Sequence, residues 1–202
     1  MTAGDEFAAV IEAAKVGQEW AFDILYTDLH PFLLRYLKAQ EPRAADDIAA
    51  DTWLAAVQRL ARFEGDERGW KAWMFTIARN RLADYRRTNA RHKTFPVASD
   101  TLEGYASTDP ELADPCDIAV EKLAAGDAID LVARVLRPEQ AEVLLLRVLG
   151  GFSVAETAEL MRKRPGTVRV LQHRALQHLQ KALSNPGRSK SKSSGNEFFG
   201  DV

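Results

Sequence analysis

The side chains best equipped to do chemistry in this sequence are cations, and they are gathered rather than spread. Residues 160–184 hold six Lys/Arg and no Asp/Glu, and residues 79–93 hold six Lys/Arg against the single acid Asp84. Phosphate oxygens are the natural counterpart of positive charge segregated in this way. The formal net charge is nevertheless −2, because residues 94–127 carry eight Asp/Glu against Lys122 alone and the first sixty residues carry ten acids against five bases. An overall charge near zero thus conceals two basic surfaces on an acidic remainder. Catalytic sets are not apparent. His30, His92, His173 and His178 lack partners at metal-ligand spacing, no nucleophile elbow or phosphate loop occurs, and Asp46-Asp47 reads as a helix start. The lone Cys116 excludes an internal disulfide and a multi-cysteine zinc site. The expectation is therefore a binding protein, not an enzyme, with no cofactor, no metal and no small-molecule substrate. The opening Met-Thr-Ala-Gly-Asp-Glu has neither the basic nor the apolar part of a secretory leader, and no run of about eighteen apolar residues occurs. A soluble, cytoplasmic protein without membrane insertion is expected.

Helices must position these cations. Phe7, Val10, Ile11 and Ala14 make one apolar face, and Phe22, Leu25, Leu29, Phe32, Leu33, Tyr36 and Leu37 make a longer one that closes at Glu41-Pro42. Acids at Asp46-Asp47 open a third helix over about 45 to 61, with Ile48, Thr52, Ala56 and Leu60 repeating every four residues. Phe63 to Gly69 is a polar loop, after which Trp70, Trp73, Met74, Ile77 and Ala78 lead into the first basic segment. Residues 94–126 contain three prolines and scattered acids without periodicity, and read as a linker. Beyond it, Ile129, Val132 and Val135 suggest a helix, Pro138 suits the first position of the next, and Gly150-Gly151 stops it. Ser153-Val154-Ala155-Glu156 is a capping box, and the helix it opens breaks at residues 162–166 before a last helix with Val168, Leu171, Ala175, Leu179 and Ala182 inward. The fold class is all-α, with domains over 1–93 and 127–184, the linker between them, and a Ser/Lys-rich tail over 185–202 that reads as disordered.

The last two helices have the spacing of a helix-turn-helix, whose second helix lies in the DNA major groove with its first turns against base edges. Arg169, His173 and Arg174 are then available to bases or phosphates, and Lys163, Arg164 and Thr167 to the backbone near the turn. A basic, solvated helical hairpin is the structural alternative, and the absence of acids over 160–184 weighs against it.

Three runs carry a family resemblance. Gly151 to Met161, followed by Pro165-Gly166-Thr167-Val168-Arg169 and His173-Arg174-Ala175-Leu176, resembles region 4 of the bacterial RNA polymerase sigma factors. Ala45 to Leu54 resembles the region 2.2 helix, and Trp70 to Asn80 resembles regions 2.3 and 2.4. All three occur in the family's order, over about residues 7–92 and 125–184, and the chain is similar to the small extracytoplasmic-function (ECF) class with only two domains.

The resemblance implies a transcription initiation factor whose partners are core RNA polymerase and promoter DNA, with an anti-sigma protein as a candidate regulator. It implies −35 contacts at Lys163, Arg164, Thr167, Arg169, Val170, His173 and Arg174. Capture of the −10 strand falls to Phe63, Asp66, Arg68 and Asn80, with Arg79, Arg86 and Arg87 on phosphates. Polymerase docking falls to Asp47, Ile48, Asp51, Thr52 and Leu54, while Trp53 and Val57 on the same helix read as core. Trp70 and Trp73 could stack on bases, but their helical spacing favours packing. Arg164 and Val170-Leu171 depart from the frequent residues of the family's recognition helix, so no promoter sequence carries over. The competing reading is a stand-alone helix-turn-helix regulator that binds duplex DNA without polymerase.

Overall fold

The computed structural model of the protein describes residues 3–92 and 126–184, and all regular structure among them is helical. The first lobe contains α1 (Ala3–Lys15), α2 (Glu19–Gln40), α3 (Ala45–Val57), a single 3-10 turn (Leu60–Arg62) and α4 (Glu67–His92). The second contains α5 (Gly126–Val135), α6 (Pro138–Val148), α7 (Val154–Met161) and α8 (Pro165–Ser184). The expected tail and linker lie outside the described residues, apart from Gly126, which begins α5.

Helix α2 is the spine of the first lobe. Leu25, Leu29, Leu33, Tyr36 and Leu37 are buried on it at the helical repeat, against Ile48 and Trp53 of α3 and Trp70, Met74, Phe75 and Leu82 of α4. Two boundaries differ from the sequence reading. Helix α3 stops at Val57 and gives way to the 3-10 turn, so Leu60 reaches the core from the turn and not from the helix. Helix α4 starts at Glu67, three residues before the apolar repeat begins, because the Asp66 carboxylate accepts the Gly69 backbone N–H at 2.7 Å and caps the new end.

An aromatic seam ties α2 to α3. Tyr26 stacks on His30 with centroids 4.4 Å apart, and Trp53 leans on Tyr26 and meets Phe22 edge-on. The Trp53 indole N–H donates to His30 Nδ1 at 3.2 Å, which requires a neutral imidazole with its proton on the other nitrogen.

In the second lobe Ile129, Val132, Val143, Leu144, Leu146, Phe152, Val168 and Leu171 form the core. The Gly150-Gly151 stop has a steric reason. A Cβ on Gly150 would lie 2.2 Å from the Phe152 ring, and Gly151 adopts a left-handed φ of +66°. These two glycines let the chain fold Phe152 back beneath α6.

The two lobes touch. Phe75 of α4 meets Phe152 edge-on with centroids 5.5 Å apart, and both rings are buried. Helix α2 packs on α5 and α6, and α4 on α7.

The His30 environment makes a pH prediction. Burial lowers the His30 pKa from its ordinary 6.5, with Asp46 opposing and Lys38 reinforcing. The unfolded chain therefore takes up this proton first, and the stability contributed by neutral His30 is lost as pH falls below about 6.5. Thermal melts between pH 7.5 and 5.5 should show a falling midpoint that is less steep in His30→Phe.

Candidate nucleic-acid and polymerase interfaces

Helix α7 starts with a complete capping box. Ser153 Oγ accepts the Glu156 N–H at 3.2 Å, and the Glu156 carboxylate accepts the Ser153 N–H at 2.7 Å. It ends at Arg162, whose left-handed conformation (φ 53°) turns the chain, and Pro165 then opens α8 where its missing N–H costs nothing. The turn holds α8 by Val168, Leu171, Ala175 and Leu179, all buried, and this orients the opposite face to solvent.

On that outward face Arg164, Thr167, Arg169, His173 and Arg174 are all exposed and lie on the first half of α8 or just before it. Two expected contacts stand apart. Lys163 is half-buried and its ammonium lies 2.7 Å from Glu139 at the start of α6, so it closes the turn against the lobe. Val170 is half-buried, as its place between Val168 and Leu171 dictates.

Helix α3 divides its expected polymerase contacts between two faces. Asp47, Asp51 and Leu54 are exposed, Leu54 at 59%. Ile48 and Thr52 are not surface residues, at 3% and 0% exposure, and the Thr52 hydroxyl donates to the Ile48 carbonyl at 2.7 Å. At about 100° per residue, 48 and 52 share the face of Ala45, Ala49 and Ala56, which packs on α2. Trp53 is core as expected, but Val57 is 49% exposed and extends the Leu54 patch. Its position one turn after Leu54 was the available signal.

The expected −10 contacts are arranged differently. Phe63 is 7% exposed and packs edge-on against Trp70 at 5.5 Å and tilted against Trp73 at 5.3 Å, so its ring belongs to the core. Trp70 is buried with it and Trp73 half-buried. Asp66 is engaged as the cap of α4. Asn80 and Arg87 are on the surface, Arg87 beside Asp84 one turn before it. Arg86 is held by Glu41 at 2.8 Å.

Arg68 and Arg79 reach across to the second lobe. The Arg68 guanidinium grips both carboxylate oxygens of Glu156. Arg79 bonds the Glu142 carboxylate on α6 and the Leu160 carbonyl at the end of α7. Glu142 also accepts the hydroxyl of the fully buried Tyr36 at 3.1 Å, and burial followed by the Glu142 charge pushes that hydroxyl's pKa well up. The Arg68 hydrogen bonds, aided by Ser153, hold the Glu156 carboxyl down to about 2 against the opposing effect of burial. These contacts join residues 63 to 106 positions apart, and no local pattern announces them.

Among the described residues no group of His, Cys, Asp or Glu is placed to hold a metal ion, and no helix is long and apolar enough to cross a membrane. What the geometry defines is a two-lobed helical protein whose last helix turns a cationic face to solvent. Sigma-70 region 2 matches residues 25–92 and sigma-70 region 4 matches residues 127–179. The chain is 34% identical over 181 residues to the ECF RNA polymerase sigma factor BldN of Streptomyces coelicolor, covering 89% of this chain and 66% of that one, just under two thirds of its length. It is 32% identical over 190 residues to the ECF RNA polymerase sigma factor SigD of Mycobacterium tuberculosis, covering 91% of this chain and 87% of that one. In fold it is similar to CnrH in its complex with the cytosolic domain of CnrY (TM-score 0.57, 22% identity, 90% of this chain and 99% of that one). It is similar also to RpoE of Bartonella quintana in complex with the anti-sigma factor NepR (TM-score 0.55, 23% identity, 81% and 96%). The chain belongs to the sigma-70 family, in its ECF group.

Removing the Ser153 hydroxyl leaves the Glu156 N–H without its cap. Ser153→Ala should cost about 1 kcal/mol and lower the melting midpoint by about 2–4 °C, read by circular dichroism.

Proposed function

We propose that this protein is a promoter-specificity subunit that joins core RNA polymerase and directs transcription initiation, acting by binding and without turnover of a substrate. The observation that carries this reading is the outward face of α8. Arg169, His173 and Arg174 project from the first half of a helix that its buried face fixes against α7, over a stretch with no acidic residue. A helix of this kind fits the major groove with arginines within reach of guanine edges and flanking phosphates. Arg164 and Thr167 then lie at the groove's edge, beside the backbone.

The exposed Asp47, Asp51, Leu54 and Val57 form an acidic and apolar strip on α3 suited to a basic, partly apolar surface of the polymerase. Asn80 and Arg87, both on the surface of α4, are available to a single strand from the −10 element, Arg87 for phosphates and Asn80 for an extruded base. The protein works where chromosome and polymerase are, in the cytoplasm, and an anti-sigma protein covering these surfaces is a further partner.

Arg169→Ala and Arg174→Ala should each weaken −35 binding by about 1–3 kcal/mol if the guanidinium reads a base, with relaxed specificity at one position. A phosphate contact would instead lower affinity on all sequences and reduce the salt slope by about one. Fluorescence anisotropy on promoter fragments at several salt concentrations separates the two. Reversing Asp47 and Asp51 to Lys should abolish co-elution with core polymerase while leaving the helical circular dichroism signal intact. Co-elution equal to that of the unaltered chain would reject α3 as the docking strip. Specific duplex binding at full strength with no polymerase complex would mark a stand-alone regulator.

A further inference from the structure

Residues 160–184 contain no acid, and three of their cations, Arg162, Lys163 and Arg164, stand in a row where α7 hands over to α8. The fold nevertheless supplies a carboxylate to the middle one. Glu139, in the first turn of α6, lies 2.7 Å from the Lys163 ammonium, while Arg162 and Arg164 on either side stay exposed.

Two features hold that carboxylate in place. The first turn of a helix favours an anion, because its unpaired N–H groups carry partial positive charge. The turn is also tied to α8, on which α6 packs: His178 Nδ1 donates to the oxygen of the buried Gln140 side chain at 3.2 Å, one residue from Glu139. Glu139 therefore stays at the start of α8 as long as α6 does.

Binding to DNA is counted in phosphates. Each phosphate that a cation neutralises releases condensed counterions, and the logarithm of affinity then falls with the logarithm of salt by about 0.9 per contact. A lysine beside a carboxylate adds no net charge to the face that meets DNA. Phosphate contacts also carry no sequence information, and tighten promoter and bulk duplex alike.

We propose that Glu139 sets the sequence-independent affinity of the DNA-binding face: by pairing with Lys163 it withholds one phosphate contact at the edge of the groove. A larger share of the binding free energy is thereby left to Arg169, His173 and Arg174. The inference rests on the reading of α8 as the recognition helix. The pair is partly exposed, at 27% for Lys163 and 49% for Glu139, so its own attraction is small. Its effect on DNA does not need a strong bond. Were the ammonium to swing to a phosphate, the Glu139 carboxylate would remain at the same edge and repel the strand.

The test needs no known promoter, because the withheld contact is blind to sequence. Binding of the full chain to a fluorescein-labelled duplex of mixed sequence is read by anisotropy at several salt concentrations. Glu139→Gln keeps the shape of the side chain and should steepen the salt slope by about 0.9. Its gain in affinity over the unaltered chain should then be about three- to fourfold larger at about 50 mM than at about 200 mM salt. Lys163→Gln should leave the slope where it is, and Glu139→Gln made on that background should add little. An unchanged slope in Glu139→Gln, with its helical circular dichroism intact, would overturn the proposal. A slope reduced by about 0.9 in Lys163→Gln would also overturn it, since Lys163 would then already hold a phosphate. Equal steepening with and without Lys163 would trace the effect to the Glu139 charge alone and reject the pairing. Arg164→Ala and Arg169→Ala are measured alongside. If neither weakens duplex binding, it is the reading of α8 as the DNA face that fails, and the role of Glu139 falls with it.

Discussion

Glu142 is the group on which the assembled molecule turns. It lies on α6, in the second lobe, yet it satisfies two polar groups of the first: the guanidinium of Arg79 and the hydroxyl of Tyr36, which is wholly buried within the bundle. A buried hydroxyl without an acceptor costs on the order of 1–3 kcal/mol, and a half-buried cation without a partner costs more. One carboxylate placed at the lobe boundary removes both penalties. The apolar contact of Phe75 with Phe152 then brings the two cores together without an intervening layer of water.

That boundary also ranks the surfaces by what remains for others to use. Helix α3 spends its inner face on α2 and keeps an acidic and apolar strip outside, where Leu54 and Val57 are held in solvent at 59% and 49% exposure. Helix α8 spends its apolar face on α6 and α7 and keeps its cations outside. Helix α4 is the exception, since Arg68 and Arg79 face the other lobe. The outer faces of α3 and α8 thus stay open to solvent, while Arg68 and Arg79 of α4 are engaged by carboxylates of the second lobe.

Periodicity made much of this legible before any coordinates. The helices, the break after Gly150, the capping box at Ser153 and the inward set of α8 follow from local rules, and they reappear where those rules put them. Individual side chains were legible only where geometry on one helix decides them. Arg169 and His173 are exposed because Val168 and Leu171 are not. Phe63 went the other way. In sequence it opens a polar loop, but the 3-10 turn before it aims its ring at Trp70 and Trp73. The family resemblance joins Ile48 and Thr52 to Asp47 and Asp51, but the helix puts them on different faces, and Ile48 and Thr52 are buried. The inter-lobe bonds had no signature because their partners are brought together only by tertiary packing.

Glu156 serves two structures with one carboxylate: it completes the capping box of α7 and it binds Arg68 across the boundary. This links the first turn of the helix-turn-helix to the first lobe in a way that matters for recombination. A second lobe grafted from another protein to change promoter preference brings its own residues at 142 and 156. Where these are not carboxylates, Arg68 and Arg79 lose their ion-pair partners and the Tyr36 hydroxyl loses Glu142 as its acceptor. Modular exchange between such proteins is therefore constrained at two positions on the boundary between the lobes.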